Sequence, residues 1–405
     1  MPKLLQINSA SAKGSTGGIA ETIGRLATQR GWDCYIASSV RHSSPSQMKS
    51  IIVGSKFGTY LHAFFSMLFD AHGYGSIWST RKLVRKIKRI KPDVIHLHNI
   101  HGYYLNYPIL FNYLRESRTP VVWTFHDFWA ITGHCAIVGK EICEKWKTGC
   151  GTCPLIRDYP KSYIDRSCSN YIKKKELFTS IENMTIVTVS DWLKSIVEQS
   201  FLNDKNIKTI PNGIDTSVFY PRYDAVKKVR ENYKWGDKVV VLSVVDRWHE
   251  GVGFSDIWKL REKLDERFVI VLVGVTQKQK DILPEGVVGI LHTSNRDELA
   301  ELYTAADIGF PPQTVCTFGL VTAEAMACGT PSVVYAEAAS EVIGIKELVV
   351  QTRNIDELAS TIKSFMLSGG KQSYSEYCIK RANEVYDSIN NYSKYVDLYE
   401  TLITE

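Results

Sequence analysis

The segment Phe318–Pro331, with the sequence FGLVTAEAMACGTP, carries the clearest structural signal in the chain. Gly319 stands where a helix is predicted to begin, and the N–H groups of a first helical turn can bind a diphosphate. Glu324 follows a little over one turn later, within reach of ribose hydroxyls. An ordinary amphipathic helix with a glycine C-cap explains Gly329 and Pro331 but not a carboxylate among small, apolar residues. The segment therefore predicts a nucleotide site.

On both sides of this segment, short β-branched runs alternate with longer amphipathic stretches, a pattern typical of βαβ units and a parallel sheet. Strands of a first series are predicted at Lys3–Asn8, Asp33–Ala37, Asp93–Leu97, Val121–Phe125, Thr185–Val189 and Ile207–Ile210. Strands of a second series are predicted at Lys238–Val245, Phe268–Val273, Val287–Leu291, Ile308–Phe310, Pro331–Tyr335 and Glu347–Val350. The predicted fold class is α/β, with two Rossmann-like domains facing a cleft.

The turn-forming segment Pro211–Pro221, PNGIDTSVFYP, separates the two series. A chain of 405 residues has room for two cores. We expect an N-terminal domain over 1–215, with a cysteine-rich loop over 135–153, and a C-terminal domain over 216–385. The remaining residues, 386–405, are predicted to form a helix that packs back toward the first domain.

The composition is that of an ordinary globular protein, with 44% hydrophobic and 23% charged residues, which argues against disorder and fibrous repeats. The sequence contains no apolar run of the roughly 18 residues that a membrane span needs. Met1–Ser9 lacks the layout of a secretory signal. We therefore expect a cytoplasmic protein.

The net charge of +6 is concentrated in part at Arg81–Lys91, RKLVRKIKRIK, where apolar residues recur at helical spacing. Such a basic amphipathic helix is either a solvated helix face or a peripheral contact with anionic lipid at the inner face of a membrane. Nucleic acid is not an expected partner, because no stacking aromatics or recognised binding module accompany the basic patch.

Glycines follow the first predicted strand at Gly14–Gly18, GSTGG, and a helix is predicted to start near Ile19. Backbone N–H groups at such a turn can approach a phosphate or a sugar oxygen. The motif is weak on its own, because glycine turns between a strand and a helix are common.

His126 and Asp127 end the run WTFHD, at the carboxyl end of a predicted strand. Side chains there can hold a sugar hydroxyl, and an imidazole can also transfer a proton. In the alternative interpretation, Asp127 caps the next segment and has a structural role.

His98 and Asn99 follow another strand of the same series, together with His96 and His101. They are predicted to line the acceptor side of the site. Three histidines in six residues also suggest a metal site, but the sequence nearby offers no carboxylate that would have to serve as a further ligand.

Four thiols lie within nineteen residues, with the spacing C-x7-C-x6-C-x2-C, at Cys135, Cys143, Cys150 and Cys153. Four thiols satisfy the tetrahedral coordination of a structural zinc ion. Free thiols and disulfides are the alternatives, and disulfides are disfavoured in a reducing cytoplasm.

Taken together, the motifs resemble the glycogen-synthase-like, retaining glycosyltransferases of the GT-B fold, and among them the bacterial colanic-acid and capsule type. The resemblance rests on Phe318–Pro331 and extends over Gly14–Gly18, Asp93–Asn99, Thr124–Asp127, the cysteine loop and Pro211–Asp215. It implies a transferase of surface-polysaccharide synthesis that needs no catalytic metal. The donor would be a UDP-, GDP- or dTDP-sugar, and the acceptor a glycan or a lipid-linked glycan.

The resemblance also assigns roles. It implies that 1–215 is the acceptor-binding domain and 216–385 the nucleotide-sugar-binding domain, and it assigns individual residues as follows. Donor binding falls to Gly17, Gly18, Arg247, Cys316, Phe318, Gly319, Leu320 and Glu324. Within this set, Glu324 would hold the ribose, and Gly319 with its neighbours the diphosphate. His126, with Asp127 beside it, would face the reacting sugar, and His98 and Asn99 would contact the acceptor.

Two positions depart from the family pattern. The position eight residues before Glu324 is acidic in the family and contacts the transferred sugar, but here it is Cys316. Sulfur is a weak hydrogen-bond acceptor, so either the transferred sugar lacks a hydroxyl at this contact, as a deoxy sugar would, or catalysis is lost.

The second departure concerns the cations that clamp the diphosphate. Arg247 is present, but Val252 stands five residues later where the family has a lysine, and a second register places Glu250 there. Lys278 and Lys280 are candidates to compensate. These departures keep two alternatives open, a non-catalytic subunit that binds a glycan or a partner, and a nucleotide-sugar epimerase.

Overall fold

The computed structural model describes residues 1–137, 143–351 and 353–404, which form two compact units. The first unit comprises Met1–Pro211 and Tyr392–Glu405, and the second comprises Asn212–Asn391. The chain therefore enters the second unit at the start of the predicted switch segment and returns to the first unit within its last helix.

The first unit contains a parallel sheet whose strands are β1 (Lys3–Asn8), β2 (Asp33–Ser39), β3 (Lys49–Val53), β4 (Val94–Leu97), β5 (Val121–Phe125), β6 (Met184–Thr188) and β7 (Asn206–Thr209). Their order is β3-β2-β1-β4-β5-β6-β7. The edge strand β3 was not predicted. Its sequence, KSIIV, is short and mostly exposed, which leaves little of the apolar pattern that marks an inner strand.

The helices of this unit are α1 (Gly14–Gln29), α2 (Lys56–Phe69), α3 (Ile77–Ile90), α4 (Tyr107–Ser117), α5 (Ser167–Thr179) and α6 (Asp191–Val197). The predicted start of the first helix near Ile19 is wrong, because α1 begins at Gly14 and contains Gly17 and Gly18 in its first turns. The glycines therefore belong to the helix and do not form a turn before it.

The second unit has the strands β8 (Val239–Val244), β9 (Phe268–Val273), β10 (Val287–Ile290), β11 (Ile308–Gly309), β12 (Val334–Tyr335) and β13 (Val349–Val350). The first four form a parallel sheet in the order β10-β9-β8-β11, and β12 pairs with β13. The last strand is shorter than predicted because Lys346–Leu348 turns as a 3₁₀ helix. The parallel sheets of both units confirm the predicted α/β fold class.

The remaining helices are α7 (Val226–Asn232), α8 (Asp256–Lys263), α9 (Gln277–Lys280), α10 (Arg296–Ala305), α11 (Leu320–Ala327), α12 (Ala338–Ile343), α13 (Ile355–Leu367), α14 (Gly370–Val385) and α15 (Ser388–Thr404). None of the helices in the described ranges combines the length and the hydropathy that crossing a bilayer requires.

The C-terminal end of α15 completes the core of the first unit. Tyr392, Tyr395 and Tyr399 are buried in the apolar cluster that α1 forms with the sheet. The Tyr399 hydroxyl lies 2.6 Å from Nδ1 of His96 on β4. The Tyr395 hydroxyl accepts from Thr124 Oγ1 on β5 at 3.1 Å, so Tyr395 and Tyr399 bond to strands that end at the candidate site.

Candidate active site

A chain of hydrogen-bonded side chains runs from β1 to the ends of β4 and β5. Gln6 donates through Nε2 to the Ala20 carbonyl at 2.8 Å, so its Oε1 is the atom that accepts from His98 Nε2 at 2.9 Å. Nδ1 of His98 lies 3.1 Å from Nε2 of His126. Since the proton of neutral His98 is on Nε2, its Nδ1 accepts from His126. This row of hydrogen bonds fixes both the orientation and the tautomer of His126.

His126 is neutral near pH 7. Burial lowers its pKa to about 4, and the opposing effect of Asp127 is smaller. At neutral pH the ring therefore acts as a hydrogen-bonding group and carries no positive charge.

Asp127 is bonded on both carboxylate oxygens. Oδ1 accepts from the N–H of Trp129 at 2.9 Å, and Oδ2 lies 2.6 Å from Nε2 of His101. Burial works to raise the pKa of Asp127, but His101 and the Trp129 N–H outweigh it and hold the pKa below its usual value. Asp127 thus bonds the first N–H of the 3₁₀ turn Trp129–Ile131, as in the structural interpretation of this residue, and its ionised carboxylate also orients His101.

These groups line a small pocket in the first unit, whose walls include His98, Asn99, His101, His126, Asp127 and Trp129. Asn99 is half-buried, and its backbone N–H bonds to the side chain of Asn8 at 3.3 Å. His98 is buried with both ring nitrogens bonded inside the protein, so in this conformation it holds His126.

His96 is also fully bonded, through Tyr399 and through Thr124 Oγ1 at 2.8 Å. It supports the sheet and has no nitrogen left for an acceptor or a metal. Within the described residues, no group of three or more His, Cys, Asp or Glu side chains is arranged to hold a metal ion.

The glycines at the start of α1 differ in their surroundings. A Cβ on Gly17 would lie 3.3 Å from the backbone nitrogen of Ala12, so this glycine permits a close approach of the preceding loop. Gly18 is exposed, and a Cβ there would meet no atom within 4 Å. Helix α1 has no side-chain cap at its N-terminus, which leaves its first N–H groups for another acceptor.

In the second unit, Gly319 caps α11 with a φ of 104° and no side-chain cap. A Cβ at this position would lie 3.3 Å from Cα of Ala339, so glycine is required both by the backbone conformation and by the close approach of α12. Phe318 is buried against Tyr386, with ring centroids 5.4 Å apart. The helix itself begins at Leu320, one residue after the predicted start at Gly319.

Glu324 is half-buried on α11, and Tyr303 donates its hydroxyl to Oε2 at 3.3 Å. Burial raises the pKa of Glu324 to about 7, against a smaller lowering by Arg296 and Tyr303. A half-buried carboxylate whose pKa is raised in this way is a candidate functional residue.

The predicted cations follow neighbouring strands. Arg247 is exposed in the turn after β8, while Lys278 and Lys280 are exposed on α9, after β9. Since β8 and β9 pair in parallel, their carboxyl ends lie at the same edge of the sheet. Val252 lies in a 3₁₀ turn, Glu250–Val252.

Sequence reasoning missed Glu337, which lies close to the Cys316 position. Burial raises the pKa of the Cys316 thiol to about 12, with the Glu337 carboxylate adding to the effect, so the thiol is neutral. The backbone at Ala339 hydrogen-bonds to the sulfur. Glu337 is the N-cap of α12 and has φ 102° and ψ −152°, a conformation that only glycine adopts without strain. The sequence does contain a signal for Glu337, because it follows the predicted strand Pro331–Tyr335 and ligands bind beyond the carboxyl ends of such strands.

The cysteine loop also forms a pocket, although its residues 138–142 lie outside the described ranges. Cys135, Cys143, Cys150 and Cys153 all line this pocket as free thiols. The sulfurs of Cys135 and Cys153 are hydrogen-bonded to each other.

Three buried polar atoms without a hydrogen-bond partner belong to residues that line the same pocket, and they are His134 Nε2, Trp146 Nε1 and Ser167 Oγ. The other nitrogen of His134, Nδ1, lies 2.5 Å from Oδ1 of the buried Asp70. The pocket therefore contains more polar groups than it satisfies internally.

Sequence comparisons relate the chain to sugar transferases. The model of Glycosyltransferase Family 4 matches residues 16–218, and that of Glycosyl transferases group 1 matches residues 226–385. A putative colanic acid biosynthesis glycosyl transferase, WcaC of Escherichia coli, is 24% identical over 98% of this chain and 100% of its own length. The O-antigen chain mannosyltransferase RfbU of Salmonella typhimurium is 24% identical over 72% of this chain and 79% of its own.

Solved structures show the same fold. Sucrose-phosphate synthase from Thermosynechococcus elongatus superposes with a TM-score of 0.72 at 15% identity, covering all of both chains. Anabaena HepE, solved in complex with UDP-glucose, has a TM-score of 0.68 at 14% identity, over 98% of this chain and 99% of its own.

Proposed function

Because the chain belongs to Glycosyltransferase Family 4 and is a glycosyltransferase of the GT-B fold, we propose that it transfers a sugar from a nucleotide-sugar to a glycan or lipid-linked glycan in surface-polysaccharide synthesis. The relation to WcaC and RfbU over most of their lengths supports the polysaccharide acceptor. Transfer proceeds with retention at the anomeric carbon, as the family resemblance implies.

One observation carries the donor assignment. The N-cap residue of α11 is Gly319, which has no side chain to bond the first N–H groups of the helix, so these are available for a diphosphate. Glu324 follows on the same helix with a raised pKa. Arg247, with Lys278 or Lys280 from the neighbouring strand end, stabilises the leaving diphosphate. His126 faces the transferred sugar as a neutral ring.

A panel of UDP-, GDP- and dTDP-sugars tests this assignment. One nucleotide class should raise the melting temperature of the protein, because a ligand that binds only the folded state stabilises it. Transfer from that donor to a glycan acceptor should give a product with the anomeric configuration of the donor, measured by NMR. Protection by the donor without any transfer would favour a non-catalytic subunit.

The sugar contact missing at Cys316 is supplied by Glu337. The two residues are close enough for the carboxylate to affect the thiol, and the strained backbone at Glu337 is what a functional constraint would maintain. Cys316→Glu should place two carboxylates at this contact and change the preference among hydroxylated and deoxy sugar donors. An unchanged donor preference in this variant would remove position 316 from the sugar site.

The cysteine loop binds a structural zinc ion through Cys135, Cys143, Cys150 and Cys153. Their shared pocket and the unpartnered Nε2 of His134 support a ligand there, although closure on an ion must move the sulfurs from their present positions. A metal-bound thiolate or imidazole would satisfy groups that now lack partners. Elemental analysis should give one zinc per chain, and Cys143→Ser with Cys150→Ser should abolish it.

The basic helix α3, which contains most of Arg81–Lys91, contacts anionic membrane from the cytoplasmic side, where a lipid-linked acceptor is located. Its cations Arg81, Lys82, Arg85, Lys88 and Arg89 are exposed. Reversing the charge of Arg85, Lys86 and Lys88 should weaken vesicle binding at low salt, and raising the salt concentration should weaken the binding of the wild type. Binding that changes with neither salt nor charge reversal would contradict the contact.

A further inference from the structure

Helix α2 presents an apolar face to solvent and buries a polar one. Its buried residues are Thr59, His62 and Ser66. Large apolar side chains on the outward face are 44% to 76% exposed, and they are Phe57, Tyr60, Leu61, Phe64, Phe65 and Phe69. A surface helix of a globular protein normally has the opposite arrangement. An exposed patch of this kind marks an interaction site.

The orientation of α2 is fixed by the hydrogen bonds of its buried face. His62 Nε2 accepts from the N–H groups of Gly73 at 3.2 Å and Gly75 at 3.1 Å, and Nδ1 lies 3.0 Å from Ser76 Oγ. Ser66 donates its hydroxyl to the His62 carbonyl at 2.8 Å. The Ser66 bond lies within α2, but rotating the helix to bury its aromatic rings would break the three bonds of the His62 ring, so the apolar face is a built feature.

Cations surround the exposed rings. The pairs are Arg41 over Tyr60 at 4.8 Å, Arg81 over Trp78 at 5.3 Å and Arg157 over Tyr163 at 4.9 Å. Trp78 is 76% exposed and lies two residues after Ser76, which bonds to His62 of α2. The N–H of Tyr163 bonds to the Met67 carbonyl at 2.8 Å, so the backbone near both aromatic residues lies next to α2. Aromatic rings beside cations are the composition of an interfacial membrane anchor.

The exposed charge of the segment 56–91, which contains α2 and α3, has one sign. Helix α3 contains six Lys or Arg among its 14 residues and no carboxylate. Between Lys56 and Lys91 the sequence has a single acidic residue, Asp70, which is buried and bonded to His134. A second copy of the chain would bring two cationic helices together, whereas an anionic surface complements them.

We propose that the outward face of α2, with Trp78 and Tyr163 at its edge, docks on an anionic phospholipid bilayer. At about 1.5 Å per residue, its 14 residues extend about 21 Å, too short to cross the hydrocarbon core. The helix therefore lies in the plane of the interface with its rings among the headgroups and acyl chains. This adds apolar insertion to the electrostatic contact proposed for Arg81–Lys91, and it does not depend on sugar transfer.

Vesicle co-sedimentation of the full chain tests the proposal. Wild-type protein should bind vesicles that contain phosphatidylglycerol and bind pure phosphatidylcholine much more weakly. Phe64→Ser with Phe65→Ser should lower the partition coefficient at least about tenfold even at low salt, because two exposed rings no longer insert. The control Leu367→Ser removes a side chain that is 89% exposed on α13, and it should bind as wild type.

Two further measurements interpret the result. Because the phenylalanines are exposed, the double variant should keep the wild-type melting temperature and the wild-type rate of donor hydrolysis in solution, which separates this test from that of the proposed function. Equal vesicle binding by the variant and the wild type overturns the proposal. A dimer that the double variant dissociates would also overturn it, since the face would then bind a second copy.

Discussion

The two candidate substrate regions are built in different ways. In the first unit, the ends of β4 and β5 present side chains that bond to one another, from Gln6 through His98 to His126. In the second unit, α11 presents the N–H groups of an uncapped helix and a single carboxylate, Glu324, whose one described hydrogen bond is 3.3 Å long.

This difference predicts different losses on mutation. A network holds a ring in one place and one tautomer, so changing it should affect the geometry of the reaction. A helix terminus and a carboxylate bind a ligand that is present in both the ground state and the transition state, so changing them should affect affinity.

The largest effect is expected at His126. His126→Ala should lower kcat about 100- to 1,000-fold while donor affinity changes by no more than about twofold, because the ring acts at the reacting sugar. Steady-state kinetics with the identified donor and calorimetry of donor binding measure the two effects. His126→Asn, which can still donate to His98, should retain more activity. If the variant lost only donor affinity and kept its kcat, His126 would be a binding residue, and the two regions would no longer differ in what their mutation affects.

Glu324 should show the opposite pattern. Glu324→Ala should weaken donor binding about 10- to 100-fold, since a hydrogen bond to a charged group contributes about 1.5–3 kcal/mol. The loss should be larger for a nucleotide than for the free sugar. Affinity equal to that of the wild type, measured by calorimetry, would exclude the ribose contact.

The raised pKa of Glu324 adds a pH dependence. Only the carboxylate accepts from two ribose hydroxyls, so donor affinity should fall as the pH drops through about 7. Stability should change in the opposite direction. Because the folded-state pKa lies above the ordinary 4.5, the contribution of this group is complete below about 4.5 and is lost as the pH rises through about 7.

Glu324→Gln should therefore stabilise the ligand-free protein by about 1–3 kcal/mol at pH 8 and have little effect at pH 4. Chemical unfolding at the two pH values measures the change. A variant with the same difference from wild type at both pH values would show that ionisation of Glu324 does not oppose folding.

The sequence predicted the features that depend on neighbouring residues. The start of α11, predicted at Gly319 and observed at Leu320, follows from local pattern, and so do most inner strands, whose apolar runs are continuous. The bond between Gln6 and His98 joins residues 92 positions apart, and no local pattern specifies it. Helix α2 was not predicted, and periodicity would show only that it has an apolar stripe, not that this stripe faces solvent.

The smallest change in unfolding free energy is expected at Glu337. Substitution there tests whether the second region also relies on a positioned side chain. Its backbone, at φ 102° and ψ −152°, costs a non-glycine residue about 1–3 kcal/mol. Glu337→Gly removes this strain but increases the entropy of the unfolded chain by about 0.5–1 kcal/mol, so the net gain in unfolding free energy should be about 1 kcal/mol. The same variant should lose turnover with the preferred donor, because the carboxylate that acts on Cys316 is then absent. Glu337→Gln, which keeps the strain and the shape, separates the two effects: it should lose turnover without gaining stability. If Glu337→Gly is more stable and equally active, the strain at this position has no catalytic purpose, and the sugar must be held by another group.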